Sequence, residues 1–302
     1  GILADVSKWT RNITSQATRF TGKRLRPALT CIAARLAGAG VTRDVATVAA
    51  IVVLIHTATL VHDDVLDEAD VRRKVATVNA RWGDGIAVLV GDVLFSKAYR
   101  SASLLDDRFA SQYLSEVVSR ILEGEIHQDV ASHRTTLSEK DYRAIIGGKT
   151  AALYEAALVV GAHYGGAPEL GDALGRYGHH LGMAFQIVDD RLDLTGEEET
   201  VGKTLGRDLL EGKTTLPVIV WLRQRPPEEH PEAVGLVEAS WHDPEMAARL
   251  RDRLAADGAL IEADRAAQVE LDLARQALAS LPESDERELL ATIADYVLRR
   301  RR

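Results

Sequence analysis

The chain is poor in cysteine, proline and aromatic residues. Its one cysteine, Cys31, excludes an internal disulfide and a cysteine-rich zinc site, and fits a reducing cytosol. Only 5% of the 302 residues are aromatic against 46% hydrophobic, so the apolar content is aliphatic. Eight prolines occur, none between Pro27 and Pro168. An Ala/Leu-rich stretch that long without a helix breaker predicts an all-α fold. Basic excess is also missing: the net charge is −8, which gives no support to nucleic-acid binding. No uncharged apolar run reaches the ~18–20 residues of a transmembrane segment. No signal-peptide pattern is visible, so the expected location is cytoplasmic.

What is present reads as helix after helix. Pro27 suits the first turn of a helix that stops at Gly38 and Gly40. Thr42 can cap the next, which carries AIVVLIHTATLVHDD, and the loop EADVRRKVAT follows. GIAVLVGDVLFSKAYRSASLL is apolar enough to predict a fully buried helix. Ser138, with Asp141 three residues on, marks another start. Without a low-complexity linker, the simplest partition is one domain over 1–302, with motifs in 22–217 and completing helices in 233–302.

Two DDxxD pentads, Asp63-Asp64-Val65-Leu66-Asp67 and Asp189-Asp190-Arg191-Leu192-Asp193, each follow an apolar helical run. At about 100° per residue the first and last aspartates lie almost in line, one turn apart. Clustered carboxylates repel, and one of them holds a proton unless a cation intervenes. A single pentad reads equally as a solvated acidic helix end. Two such pentads point to two walls of one Mg²⁺ site, because Mg²⁺ takes hard oxygen ligands and bridges carboxylates to phosphates. Cations flank them: Lys23, Arg24 and Arg26 in GKRLRP, Arg72-Arg73-Lys74, and Lys149, Lys203 and Lys213, each in a GKT triplet. Basic clusters beside acidic metal motifs in an acidic chain favour a diphosphate substrate. GGKT lacks the spacing of a phosphate-binding P-loop, and helical pattern continues beyond it.

GKRLRP, HDDVLD with RR five residues later, GGKT, FQIVDDRLD, and GKTLGRD with EGKTTLP together resemble the trans-isoprenyl diphosphate synthases, the head-to-tail polyprenyl synthase family. The resemblance implies a single-domain all-α isoprenoid-synthase-type bundle around a deep central cavity, usually a homodimer. It implies that Asp63 and Asp67, with Asp64 in support, and Asp189, with Asp190 and Asp193 nearby, hold three Mg²⁺ ions on the diphosphate of an allylic primer; Mn²⁺ can substitute. Arg72, Lys149, Lys203 and Lys213 then contact that diphosphate. Lys23, Arg26, His56 and Arg73 bind isopentenyl diphosphate, and Thr150 and Gln186 stabilise the allylic cation. His56 lies two helical turns before Asp63 and faces the same way, unless it is simply a satisfied buried histidine. Product release allows a peripheral membrane contact.

Chain length is read from Ala58 and Thr59, where short-chain relatives place aromatic residues. Ala58 lies roughly 7–8 Å below Asp63 along the helix. Its small side chain resembles enzymes making products of about C30–C50, unless it reflects ordinary helix packing; Leu94, Phe95 and Tyr99 are candidates for the cavity floor. Three positions depart from the pattern: Lys74 for the usual Gly, Thr21 for Gly, and Arg191 inside the second pentad, expected to point away from its acidic face. The basic end Arg299–Arg302 either closes over the diphosphate or is solvated. Alternatives are a shorter-chain synthase (about C15–C25), the catalytic subunit of a two-protein synthase, a terpene cyclase, a head-to-head synthase, or a non-catalytic lipid-binding bundle.

Overall fold

The computed structural model describes residues 7–17, 24–72, 75–195 and 205–300. They are all-α apart from one two-stranded hairpin. The chain forms two compact units, Gly1–Val118 with Ala156–Gly175, and Ser119–Glu155 with Arg176–Arg302.

The first unit opens with α1 (Lys8–Ala17) and α2 (Leu25–Leu36). Gly38 follows at φ 95°, a conformation that ends the helix run as expected. In α3 (Arg43–Leu66), the Thr42 side chain accepts the Val45 amide at the N-cap. The segment read as a loop after α3 contains β1 (Val71–Arg72) paired antiparallel to β2 (Val75–Ala76). Next come α4 (Val78–Trp82) and α5 (Asp84–Ser103). α5 corrects the expectation of full burial: Ile86, Val88 and Leu89 are exposed. Apolar composition does not say which face has a neighbour. The covered face meets α3, where a Cβ on Gly91 would stand 2.1 Å from the His62 ring. Glycine therefore lets that imidazole, in contact with Val88 O at 3.1 Å, seat against α5.

Three helices begin in one unit's residues and end in the other's: α6 (Phe109–Ala131), α8 (Ala152–Tyr164) and α9 (Gly171–Thr195). In the second unit, α7 (Glu139–Ile146) is capped by Ser138, which accepts the Asp141 amide. A π-helical turn, Gly147–Ala151, joins α7 to α8 without a break. After α9 come α10 (Arg207–Leu210), α11 (Leu216–Arg223), α12 (His230–Ser240), α13 (Pro244–Ala256), α14 (Ala259–Leu278) and α15 (Asp285–Leu298). Trp221 and Leu250 lie in an apolar cluster built from α9 to α14. Arg43–Leu66 and Glu139–Tyr164 are long and apolar enough to cross a membrane by length and composition. Their most apolar windows are 56% and 72% buried inside the fold, as core helices are.

Ion pairs fix α9 within the second unit. Glu155 accepts both arms of Arg120, at 3.1 and 3.0 Å, and lies 3.7 Å from His179. Burial alone would raise its pKa, but the bonds from His179 and Arg120 outweigh that and hold it at about 2. A depressed carboxylate stabilises the fold above its ordinary pKa, and that contribution fades as pH falls toward the folded value. Glu155→Gln is therefore expected to lower Tm by several degrees at neutral pH. The gap to wild type should narrow from about pH 4.5 downward and close near pH 2, as read by thermal melts at stepped pH.

Candidate active site

In the first unit, α3 ends in the first pentad. Asp63 and Asp64 occupy its last turn and Asp67 is its C-cap. Carbonyl groups give that end a partial negative charge, so acidic side chains there cost about 0.3–1 kcal/mol each instead of helping. A helix end shaped by stability alone would carry lysine or arginine. Asp64 is buried and pairs with Arg72 at 2.6 Å, so one cation from the hairpin already neutralises the inner carboxylate. Asp63 and Asp67 stay half-buried. Near the start of α2, Arg26 Nη1 lies 3.1 Å from His56 Nε2, so two residues assigned to the same substrate meet. Ala58 is fully buried. One turn before His62, it shares the face that packs on α5. Thr59 is half-buried and its hydroxyl bonds back to His56 O.

In the second unit, the second pentad lies on α9, which is described to Thr195. Asp189 pairs with Arg300 at 2.8 Å; the arginine is 9% exposed, with its guanidinium 3.9 Å from the Phe185 ring centre. Of the basic end, Arg300 folds back on the acid while Arg299 is exposed, and Arg301 and Arg302 lie outside the described residues. Arg191 does point away, to Asp264 at 3.1 Å. Asp190 is buried and accepts from Tyr142 and Gln186. Asp193 accepts the Asp208 amide at 3.1 Å. Burial first, then the Asp208 carboxylate, push both Asp190 and Asp193 well above the usual carboxylate range. This trio cannot be fully ionised without a cation.

The π turn carries Lys149 and Thr150. A Cβ on Gly148 would lie 2.7 Å from Arg120 O, and one on Gly124 2.6 Å from the Lys149 amide. Two glycines therefore allow α6 and the turn to touch backbone to backbone. There Lys149 reaches Glu125 at 2.7 Å, and Thr150 donates to Gln186 at 2.7 Å. Lys213 is held by Glu211 at 2.6 Å. A pocket with an empty volume of about 560 Å³, counting its open mouth, gathers Tyr142, Lys149, Gln186, Asp190, Asp208 and Lys213.

The sequence reading gave Tyr142, Glu125 and Asp208 no role. Asp208 lies inside the quoted GKTLGRD and could have been weighed as a third acid. Tyr142 and Glu125 carry no local signal, because their partners come from other helices. Lys23, Arg73 and Lys203, with Thr21 and Lys74, lie outside the described residues. Among the described residues no group of three or more His, Cys, Asp or Glu closes into a metal cage. The oxygen donors still fit Mg²⁺, which binds through one or two carboxylates, waters and substrate phosphates.

Acid pentads on two helices of an all-α fold, with arginine and lysine close by, suit a protein that handles a diphosphate through metal ions. The polyprenyl synthetase family matches residues 7–251. Octaprenyl diphosphate synthase of Escherichia coli is 38% identical over 282 residues, covering 93% of this chain and 87% of its own. A short chain isoprenyl diphosphate synthase of Methanothermobacter thermautotrophicus is 38% identical over 284 residues, covering 92% and 86%. A crystal structure of polyprenyl synthase from Caulobacter crescentus, complexed with calcium and isoprenyl diphosphate, has a TM-score of 0.92 at 37% identity, covering 100% of this chain and 92% of its own. The chain belongs to the polyprenyl synthetase family, the trans-isoprenyl diphosphate synthases. Its activity is prenyl transfer, the head-to-tail elongation of an allylic diphosphate with isopentenyl diphosphate.

Proposed function

We propose that the whole chain works as one catalytic domain making a long-chain all-trans polyprenyl diphosphate of about C30–C50, a range read from the small Ala58 and Thr59 where an aromatic floor would stand. The observation that carries the reading is the pair of acid pentads, one at the C-terminal end of α3 and one on α9 whose inner carboxylates are pushed above their usual range. Such clustered carboxylates are unfavourable unless cations arrive. Asp63, Asp67 and Asp189 would hold three Mg²⁺, or Mn²⁺ in substitution, on the primer diphosphate. The metal supplies Lewis-acid stabilisation of the leaving group.

The chain's own residues do the rest. Arg72, Lys149, Lys203 and Lys213 meet the departing charge. Lys149 and Lys213 are poised on Glu125 and Glu211, carboxylates they exchange for phosphate oxygens. Lys23, Arg26, His56 and Arg73 hold isopentenyl diphosphate so that its double bond lies against the allylic carbon. The Thr150 and Gln186 oxygens face the developing cation. The apolar prenyl tail, once bound, would displace water that could capture it. Exposed apolar faces on α5 (Ile86, Val88, Leu89) and α6 (Leu122, Ile126, Val130) support a homodimer. A cytoplasmic location with peripheral membrane release of product completes the reading.

The deciding experiment is incubation of the purified chain with Mg²⁺, labelled isopentenyl diphosphate and a farnesyl or geranylgeranyl primer, followed by product-length analysis. Failure to release diphosphate would leave a lipid-binding bundle. Activity only after adding a second protein would make this a catalytic subunit.

Two further outcomes are expected. Arg26→Ala should raise the apparent KM for isopentenyl diphosphate ~10- to 100-fold, and that for the primer far less, since it removes a charge-assisted bond. Collapse of primer affinity instead would mean that the two cationic sites have been exchanged. Arg300→Gln should lower the Mg²⁺ concentration for half-maximal binding by about threefold or more, because Asp189 loses a tethered competitor. Titration calorimetry reads it, and an unchanged midpoint would remove Arg300 from the metal's path.

A further inference from the structure

Four side chains in the second unit form one continuous hydrogen-bonded chain. The Tyr142 hydroxyl donates to Asp190 Oδ2 at 2.6 Å. Asp190 Oδ1 accepts from Gln186 Nε2 at 2.7 Å. Gln186 Oε1 accepts the Thr150 hydroxyl at 2.7 Å. Tyr142 and Asp190 are 3% and 5% exposed, so neither can trade these bonds for water. The order of the chain matters because an amide has two ends of nearly equal size and opposite polarity. With its Oδ2 taken by the phenol, Asp190 accepts at Oδ1 and draws the NH₂ end of Gln186 to itself. The carbonyl end is then left on the side of Thr150.

That orientation has a chemical consequence. An oxygen is the end of the dipole that stabilises a positive carbon, and an NH₂ group in the same place would repel it. A phenol is protonated at neutral pH and is the donor of this 2.6 Å bond, so its role in the chain is fixed by geometry. Tyr142 comes from α7, ahead of the π turn, so it sets the amide from a helix that does not carry the pentad.

We propose that Tyr142 is a positioning residue for the prenyl-transfer step: through Asp190 it locks the Gln186 amide with its oxygen beside Thr150, facing the allylic cation. The inference rests on the reading of Thr150 and Gln186 as the groups that meet that cation. A tie between α7 and α9 that served only folding would have no such directional effect.

The test is a double-mutant cycle read as single-turnover condensation rates, with KM for both diphosphates and Tm measured beside them. Tyr142→Phe keeps the ring and removes the donor, and is expected to lower the single-turnover rate about tenfold, the worth of one buried hydrogen bond, with both KM values nearly unchanged. In a Gln186→Leu background the same substitution should cost nothing further, because the amide it orients is gone. Tyr142→Met, which likewise removes the hydroxyl, should lose its effect in that background too, and stands in if Tyr142→Phe does not fold. An undiminished cost of Tyr142→Phe in the Gln186→Leu background overturns the inference alone. An unchanged rate in Gln186→Leu by itself removes the cation reading, and the inference with it. A wild-type rate in Tyr142→Phe overturns the inference directly.

Discussion

Asp63→Ala and Asp189→Ala are each expected to lower turnover at least ~10²-fold, the loss that follows removal of one preorganised charge-stabilising group from a transition state. The two residues stand on different helices, yet the expectation is the same, because each would give up a ligand on one departing diphosphate. Neither loss should come from unfolding. Asp63 sits half-buried at the negative pole of α3, where alanine relieves an unfavourable charge. Asp189 differs in one respect: its removal leaves Arg300, 9% exposed, without its carboxylate, so Asp189→Ala should lower Tm slightly. Steady-state rates with and without excess chelator, together with thermal melts, separate these effects. Wild-type turnover in either variant, or full wild-type activity in excess chelator, would sink the metal assignment.

How much of this could be read beforehand depends on the range of each signal. The pentads were legible because helical spacing is local: Asp63 and Asp67 are one turn apart in any α-helix. The caps at Thr42 and Ser138 were legible for the same reason, since each bonds an amide three residues on. The Arg26–His56 contact joins residues 30 positions apart. It was reached only through family likeness, because nothing in either segment names the other. Tyr142 lies beyond both routes: its worth comes from Asp190, 48 residues away on another helix. The exposed face of α5 failed for a further reason. Hydrophobicity measures what a helix would bury, and only its neighbours decide what it does bury. The hairpin at Val71–Ala76 was missed because the two residues between its strands, Arg73 and Lys74, carry none of the Asn-Gly or Asp-Gly chemistry that marks a two-residue turn. Arg300 shows the limit for charge runs: a basic tail has many acidic partners available, and packing over Phe185 selects one.

Ala58→Tyr is expected to shorten the products from long chains to about C15–C20 while the first condensation survives, since a ring that packed helices cannot displace would block the growing tail. Relatives of equal identity to this chain include an octaprenyl and a short chain synthase, so overall likeness does not set the length. The decision falls to individual residues along α3. Ala58 is fully buried and shares the face of His62, which packs on α5, while Thr59 is half-buried one residue on. Leu94, in the buried core of α5, is therefore a floor candidate on the helix that Ala58's face meets. Overpacking at such a site typically costs about 1–3 kcal/mol, so the variant's Tm must be compared with wild type before its products are read. Reversed-phase chromatography of the dephosphorylated products then decides. A shortened distribution in a folded enzyme places Ala58 on the path of the tail. An unchanged long-chain distribution in a folded, active enzyme would mean that the residue is small only to bring α3 and α5 together, and the length would have to be set from another helix.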